Sequence, residues 1–313
     1  MPANFANLVS KQFDPDNLQV FFHMPKTAGN SISEMLGKIY GDKYRKATAK
    51  ELFDLTEQGT IYDYKALLGH YRLCDLFYER LKGNINHYVV VREPVDRVIS
   101  QYYFLRGRED HALHQKALDH SLEEILTSED MVYEMGMSDF QTQVLSSFLR
   151  SGNRKLMFAY AKARLLDAFT FFSIYEDLPT FIKICSLKLG WPEIDLPVLN
   201  VSQDRVSKEE LPSSTIKLIE DRNQLDIRLY QYATDMYKEQ MSNFMYLFED
   251  EDIPVEEPIV VHVTETKEIQ PKEEEEEIKP KRKWFRFLRL RKWLNKIFRS
   301  GSSEKGEESG IKE

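Results

Sequence analysis

The chain has few of the features that mark secreted and membrane-spanning proteins. Its 313 residues include only two cysteines, Cys74 and Cys185. Two cysteines are too few for a disulfide framework, so we expect a reducing compartment. No run reaches the roughly 18–20 apolar residues that a membrane span requires, and the first residues lack the basic region and apolar core of a signal peptide. We therefore expect a cytoplasmic protein.

Two kinds of chemical motif are also missing. The sequence contains no GxxxxGK[ST] phosphate loop, which argues against a P-loop nucleotide kinase, although such a kinase would have a similar sheet. It contains no grouping of histidine, cysteine, aspartate and glutamate with the spacing of a metal site. We expect that its chemistry uses no metal.

Charge is unevenly distributed. The net charge is −8, but residues 1–248 contribute −5, which gives no case for nucleic acid binding. Residues 249–277 contribute −11, and with four prolines in 249–280 they predict a disordered acidic linker. Residues 281–299 are basic and amphipathic, typical of a helix that binds an anionic membrane surface. The alternatives are a segment that binds a partner protein or one that folds back on the acidic linker. Residues 300–313 read as a disordered tail.

Residues 1–248 read as one folded domain. With 42% hydrophobic residues in the chain, a sizeable core is possible. The predicted strands are 18–23, 64–69, 86–91 and 169–175. The predicted helices are 29–40, 74–82, 94–106, several over 121–166, 178–189 and one long helix over 213–248. Strands that alternate with helices predict an α/β domain, a central parallel sheet with helices on both faces.

A small-residue loop joins the first strand to the first helix. It reads Pro-Lys-Thr-Ala-Gly-Asn-Ser over residues 25–31. Such a loop directs backbone N–H groups and the positive end of the helix dipole towards one point, which makes it a candidate anion site. Gly29 lets the backbone approach an anion closely. An ordinary strand-to-helix turn is the alternative for so short a motif.

A second candidate anion site follows the strand 86–91. Arg92 lies where this strand ends, so its guanidinium can bind a phosphate at the carboxyl edge of the sheet. Ser100 lies eight residues later and offers a hydroxyl to the same anion. Arg97 is the alternative candidate for this anion, but we expect it to form a surface ion pair with Asp96 or Glu93 instead. Two anion sites at one sheet edge predict a nucleotide with phosphates at both ends.

The motifs HMPKTAGNSI and VVVREPVDRVISQYYFLRG resemble the cofactor signatures of PAPS-dependent sulfotransferases. The likeness is greatest to the carbohydrate group that includes the heparan sulfate 2-O-sulfotransferases, and it covers about residues 17–248. It implies a P-loop-like three-layer fold and PAPS (3′-phosphoadenosine 5′-phosphosulfate) as the sulfuryl donor. Arg92 and Ser100 would bind the 3′-phosphate. The 5′-phosphosulfate would be lined by Lys26, Thr27, Ala28, Gly29, Asn30 and Ser31.

The resemblance also implies a catalytic base. Related transferases have a Gly-His pair between the two cofactor motifs, and Gly69-His70 matches it. A histidine is largely neutral at neutral pH and can accept a proton. His23, at the end of the first strand, is the alternative base. Weaker similarities are a Gln-Thr pair at 141–142, the segment 200–202 and the segment 226–230.

The predicted function is therefore transfer of a sulfuryl group to a hydroxyl of a carbohydrate or glycolipid. His70 would act as the base, and Lys26 would stabilise charge on the departing oxygen. The basic segment 281–299 favours an acceptor at a membrane. A non-catalytic nucleotide-binding module, recruited to membranes by the same segment, is the alternative from another class.

Overall fold

A computed structural model of the chain describes residues 13–71, 85–147, 153–192, 206–242 and 244. Several sequence predictions lie outside these residues. They are the helix at 74–82, the similarity at 200–202, the linker 249–280, the basic helix 281–299 and the tail 300–313. The boundary of the folded domain at residue 248 stays a prediction as well.

The described residues form a parallel sheet of five strands in the order β2-β3-β1-β4-β5. The strands are β1 (Leu18–Phe22), β2 (Tyr44–Thr48), β3 (Ala66–His70), β4 (Ile85–Val91) and β5 (Phe171–Ile174). The central strands β1 and β4 are buried along their whole length. Continuous apolar runs of this kind are typical of strands covered on both faces.

Helices cover both faces of the sheet. On one face, Phe21 and Leu68 pack with Met35 of helix α1 (Gly29–Tyr40) and with Phe181 of helix α9 (Leu178–Leu189). The opposite face carries Val20, Phe22 and Leu67, which pack with residues of α8 (Arg154–Asp167) and α11 (Gln224–Ser242). The predicted α/β fold with a central parallel sheet between two helical layers is confirmed.

The remaining helices are short or lie beside these layers. They are α2 (Ala49–Glu57), α3 (Pro94–Arg106), α4 (His114–Asp119), α5 (Leu122–Thr127), α6 (Glu129–Glu134), α7 (Phe140–Ser146) and α10 (Ser213–Arg222). No helix within the described ranges combines the length and the apolar character needed to cross a membrane.

Three elements differ from the sequence prediction. The prediction missed β2 and α2, because β2 is an edge strand with only one buried residue, Ala47. The long helix predicted over 213–248 is wrong, since it is two helices with a break at Asn223. The Asn223 amide donates to the carbonyl oxygens of Met137 and Ile219. These buried bonds hold Asn223 in place at the break.

Because every strand pair is parallel, all five carboxyl ends lie at one edge of the sheet. The loop before α1 follows the middle strand, β1. It is flanked by the end of β3, which carries His70, and by the end of β4, which leads to Arg92. Open parallel sheets bind their ligands at this edge. The topology therefore brings the two predicted anion motifs and the predicted base together.

Candidate active site

The loop between β1 and α1 has an unusual backbone. Lys26 and Ala28 both adopt left-handed conformations, with φ of 72° and 62°. Such conformations cost on the order of 1–3 kcal/mol each for residues with a side chain, and they concentrate at functional sites. Ala28 occupies the N-cap position of α1 and has no side-chain oxygen to accept from the first turn, which also has no acidic residue. The backbone N–H groups at this helix end can therefore bind an anion.

The loop side chains differ in what they can offer. Thr27 is buried, and its hydroxyl donates to the Met24 carbonyl oxygen at 2.8 Å. The hydroxyl hydrogen of Thr27 is thus used within the loop. The backbone N–H of Thr27 is the group that can donate to an anion. The Asn30 side-chain oxygen accepts from Lys46 Nζ at 3.3 Å. The Lys26 ammonium lies 4.0 Å from the centre of the Phe104 ring on α3.

Arg92 connects the two motifs directly. Its Nη1 donates to the Lys26 carbonyl oxygen at 3.0 Å. Its guanidinium also stacks on Tyr175, just after β5, at 4.1 Å from the ring centre. Ser100 lies one helical turn before Phe104, so both face the loop side of α3. Arg92, Ser100 and the β1–α1 loop therefore surround one region of the sheet edge.

His70 and His23 form a stacked pair at the ends of β3 and β1. Their ring centres are 4.2 Å apart, with 24° between the ring planes. His23 is half-buried, and its Nδ1 meets no hydrogen-bond partner among the described residues. A Cβ on Gly29 would lie only 1.8 Å from His23 Nε2. Gly29 is thus required so that the His23 ring can lie against the start of α1.

The electrostatics keep both rings neutral. Burial lowers the pKa of His23 to about 3, and the neighbouring His70, Lys46 and Lys26 side chains make smaller contributions in the same direction. Burial of the ring also lowers the pKa of His70, and the positive charge of Lys46 lowers it further. A hydrogen bond with the His23 backbone opposes this shift. His70 remains exposed as a residue. Of the two rings, His70 is the one that a hydroxyl can reach from solvent.

Arg97 does not form the predicted surface ion pair, and that prediction is wrong. Its side chain is fully buried, with 0% exposure. Its Nη2 donates to the Gly136 carbonyl oxygen at 2.7 Å, and its guanidinium lies 5.1 Å from the Phe140 ring centre. Burial lowers the pKa of Arg97 to about 10, although the charge of Asp226 opposes the shift. Arg97 is therefore part of the interior and cannot replace Arg92 at the sheet edge.

Comparisons with known proteins bear on this geometry. Residues 12–159 match the Sulfotransfer_2 model, which describes the sulfotransferase family. The predicted resemblance to sulfotransferases is confirmed. No curated protein matches the chain significantly. A solved structure of the mouse sulfotransferase SULT7A1 complexed with PAP matches with 14% identity and a TM-score of 0.38, covering 80% of this chain and 91% of that one.

The matched segment, residues 12–159, contains every residue proposed from the two motifs, together with three that sequence reasoning missed or left without a role. Lys46 reaches the site from the missed edge strand β2, Phe104 holds Lys26, and Gln141 contacts Arg92. Tyr175, also missed, lies beyond the segment. No pattern in the sequence singles out Lys46 or Tyr175, because only the strand order places them here. Among the described residues, no group of histidine, cysteine and acidic side chains could hold a metal.

Proposed function

We propose that the protein transfers a sulfuryl group from PAPS to a hydroxyl of a carbohydrate or glycolipid. The hydrogen bond between Arg92 and the Lys26 carbonyl oxygen is the observation that carries this proposal. It joins the two motifs into one site at the carboxyl edge of the sheet, beside an exposed histidine of lowered pKa. The family match over residues 12–159 supports the reaction class.

The residues present fit a nucleotide with phosphates at both ends. The left-handed residues Lys26 and Ala28 and the start of α1 offer backbone N–H groups for the 5′ side. Ser31 and Asn30 lie in the first turn of α1. Arg92 and Ser100 offer a guanidinium and a hydroxyl for the 3′-phosphate. When bound, PAPS supplies an activated sulfuryl group, whose transfer needs positioning and charge stabilisation more than covalent catalysis.

Lys26 would stabilise charge on the oxygen that leaves with the 5′-phosphate. Its contact with the Phe104 ring is worth about 0.5–1 kcal/mol at an exposed site. A hydrogen bond to a charged group contributes about 1.5–3 kcal/mol. We therefore expect Lys26 to exchange the ring for the phosphate when the nucleotide binds. Phe104 holds the ammonium next to the loop until then.

His70 would act as the general base. It would take the proton from the acceptor hydroxyl as that oxygen attacks the sulfuryl group that bound PAPS would supply, with adenosine 3′,5′-bisphosphate as the leaving group. The lowered pKa of His70 keeps its ring neutral and able to accept this proton at neutral pH. His23 suits the role less well, because its ring is half-buried against Gly29.

The acceptor class and the cellular location rest on the sequence. The resemblance to carbohydrate sulfotransferases favours a sugar hydroxyl. The basic segment 281–299 favours an acceptor at an anionic membrane surface, reached by a cytoplasmic protein. Co-sedimentation of the full chain with vesicles tests this association. We expect sedimentation with phosphatidylglycerol vesicles, but neither with phosphatidylcholine vesicles nor after deletion of residues 281–299. Equal sedimentation in all three cases would contradict it.

The decisive experiment is incubation of the purified chain with ³⁵S-labelled PAPS and an extract of cell-envelope glycans and lipids. We expect a labelled glycan or glycolipid that forms with wild type and not with His70→Ala. Binding of PAPS without a labelled product from any fraction would favour the non-catalytic module instead. Transfer of ³²P from γ-labelled ATP, without transfer of ³⁵S, would favour the kinase.

A further inference from the structure

The main chain of Arg92 is held by the side chain of one glutamine. The Arg92 N–H donates to Gln141 Oε1 at 2.9 Å, and Gln141 Nε2 donates to the Arg92 carbonyl oxygen at 2.9 Å. Gln141 is 1% exposed. Its amide thus pairs with both polar groups of one residue, as a neighbouring strand would. This pairing continues the hydrogen bonding of β4 by one residue, at the point where Arg92 leaves the sheet.

Gln141 is fixed in turn by a carboxylate from another helix. Gln141 lies in the first turn of α7, and its N–H and that of Thr142 donate to the Asp226 carboxylate at 3.0 and 2.7 Å. Asp226 is fully buried in α11. An acceptor at this position satisfies two N–H groups that the helix itself leaves free. Asp226 therefore sets the position from which Gln141 reaches Arg92.

The capping is reciprocal between the two helices. Asp139, which precedes α7, does not cap its own helix. Its carboxylate accepts from the N–H groups of Leu225 and Asp226 at 2.7 and 3.2 Å, at the start of α11. Each helix thus supplies the carboxylate that the other needs. The exchange locks α7 and α11 together at the end nearest Arg92.

Cations balance these buried carboxylates. Arg154 lies 2.8 Å from Asp139, and Arg97 is close enough to Asp226 for the two charges to interact. Arg97 lies in the first turn of α3, the helix that begins two residues after Arg92. A paired and hydrogen-bonded set of buried charges holds its members in one arrangement, because any displacement exposes a charge to an apolar interior. These contacts together position Gln141 next to the Arg92 main chain.

We infer that Gln141, held by Asp226, is a positioning residue for Arg92 and so sets the affinity for the 3′-phosphate end of the nucleotide. The inference rests on the proposed role of Arg92. Gln141 itself has no reach to the ligand, since both ends of its amide are used by the Arg92 main chain. Gln141 fixes the position of the Arg92 main chain, from which the side chain extends. The guanidinium can then bond both the Lys26 carbonyl oxygen and a phosphate.

The test measures binding of adenosine 3′,5′-bisphosphate (PAP) to the full chain by titration calorimetry. The variant Gln141→Met keeps the length of the side chain and removes both amide bonds. Gln143→Met is the matched control, because Gln143 is also buried on α7 but donates to the Ser138 carbonyl oxygen rather than to Arg92. Thermal unfolding of both variants records the structural cost of losing a buried amide. Steady-state kinetics with PAPS separate KM from kcat.

We expect Gln141→Met to weaken PAP binding about tenfold, corresponding to about 1.4 kcal/mol, and Gln143→Met to bind like wild type at a similar loss of thermal stability. KM for PAPS should rise with kcat nearly unchanged. In the double variant Arg92→Ala/Gln141→Met, binding should be no weaker than with Arg92→Ala alone, since residues that act through one contact are not additive. Asp226→Asn keeps the shape and one acceptor, and should weaken binding by about threefold.

Wild-type PAP affinity in folded Gln141→Met would overturn the inference, and so would equal weakening in Gln143→Met. If Gln141→Met fails to fold, PAP binding by Asp226→Asn provides the test. Wild-type PAP affinity in that variant would overturn the inference. These outcomes leave the proposed function intact provided that Arg92→Ala still weakens binding. Failure of the wild-type chain to bind PAP would overturn the role of Arg92, and with it this inference.

Discussion

The two sides of the β1–α1 loop are built differently. On the β3 side, His70 is exposed, and Lys46 is an exposed side chain that contacts Asn30. On the β4 side, Arg92 is 6% exposed, and its main chain and guanidinium are both hydrogen-bonded. The open side suits proton transfer, which needs access to an acceptor. The buried side suits tight binding of a nucleotide, which needs donors fixed in advance.

This difference predicts that substitutions on the open side lower kcat, whereas those on the buried side raise KM for PAPS. The largest effect should come from His70→Ala. Loss of a general base lowers turnover by about 10²–10⁴-fold, and we expect PAP affinity to stay within about twofold. Radiolabel transfer and calorimetry measure the two quantities. The control is His120→Ala, which should keep wild-type turnover. The Nδ1 of His120 is hydrogen-bonded to the Lys116 carbonyl oxygen.

The next effect belongs to the buried side. Arg92→Ala would remove the proposed charge-assisted contact with the 3′-phosphate, worth about 1.5–3 kcal/mol, so we expect KM for PAPS to rise about 10–100-fold. The value of kcat at saturating PAPS should change little. Arg228→Ala is the matched control, because Arg228 also stacks on an aromatic ring, that of Phe158, at 4.4 Å. A similar rise in KM with both variants would show that the effect is not specific to the site.

Gly29→Ala tests whether the stacked histidines need the space at the start of α1. The added Cβ would collide with the His23 ring, so the ring must move and the stack with His70 must change. We expect turnover to fall about tenfold and the imidazole NMR signals of both histidines to shift. Gly37→Ala, on the same helix, has its nearest neighbour at 3.8 Å and should leave both unchanged. Wild-type turnover of Gly29→Ala would contradict the arrangement.

A smaller effect is expected at Lys46. Its positive charge lowers the pKa of His70, so Lys46→Met should raise that pKa. Activity that needs neutral His70 is lost as pH falls through this pKa. The acid limb of the kcat profile should therefore lie below pH 6.5 in wild type and move to higher pH in Lys46→Met. Lys217→Met, a surface variant on α10, should leave the profile in place. An unchanged profile in Lys46→Met would remove Lys46 from the site.

The smallest effect concerns stability. Burial and the charge of Asp226 raise the pKa of Asp139 to about 6. Because the folded pKa lies above the unfolded value of about 3.9, the contribution of Asp139 to stability is greatest below pH 4 and is lost as pH rises through 6. Asp139→Asn should flatten this part of the pH dependence of unfolding in urea. An identical pH dependence in the variant would contradict the shift.

Much of this arrangement could be predicted from the sequence, and the reasons for the rest are physical. Apolar runs such as 18–22 and 85–91 predict buried strands, and the residues that follow them predict a common edge. The chain order alone could not place Lys46, because edge strand β2 has a mixed polar pattern. Arg97 was misjudged because Glu93 and Asp96 are close in sequence, whereas its burial depends on packing against Phe140 and Gly136. The sequence indicates the Gln-Thr pair, but the hydrogen bond between Gln141 and Arg92 joins residues 49 positions apart, which no local pattern predicts.

The β3 side of the loop is expected to serve proton transfer and the β4 side nucleotide binding, and one measurement tests this difference most directly. It is the measurement of kcat and KM for PAPS in His70→Ala and Arg92→Ala, side by side with the same acceptor. The account predicts that His70→Ala lowers kcat at unchanged KM, and that Arg92→Ala raises KM at nearly unchanged kcat. A loss of kcat in Arg92→Ala as large as that in His70→Ala, or a rise in KM alone in His70→Ala, would contradict it.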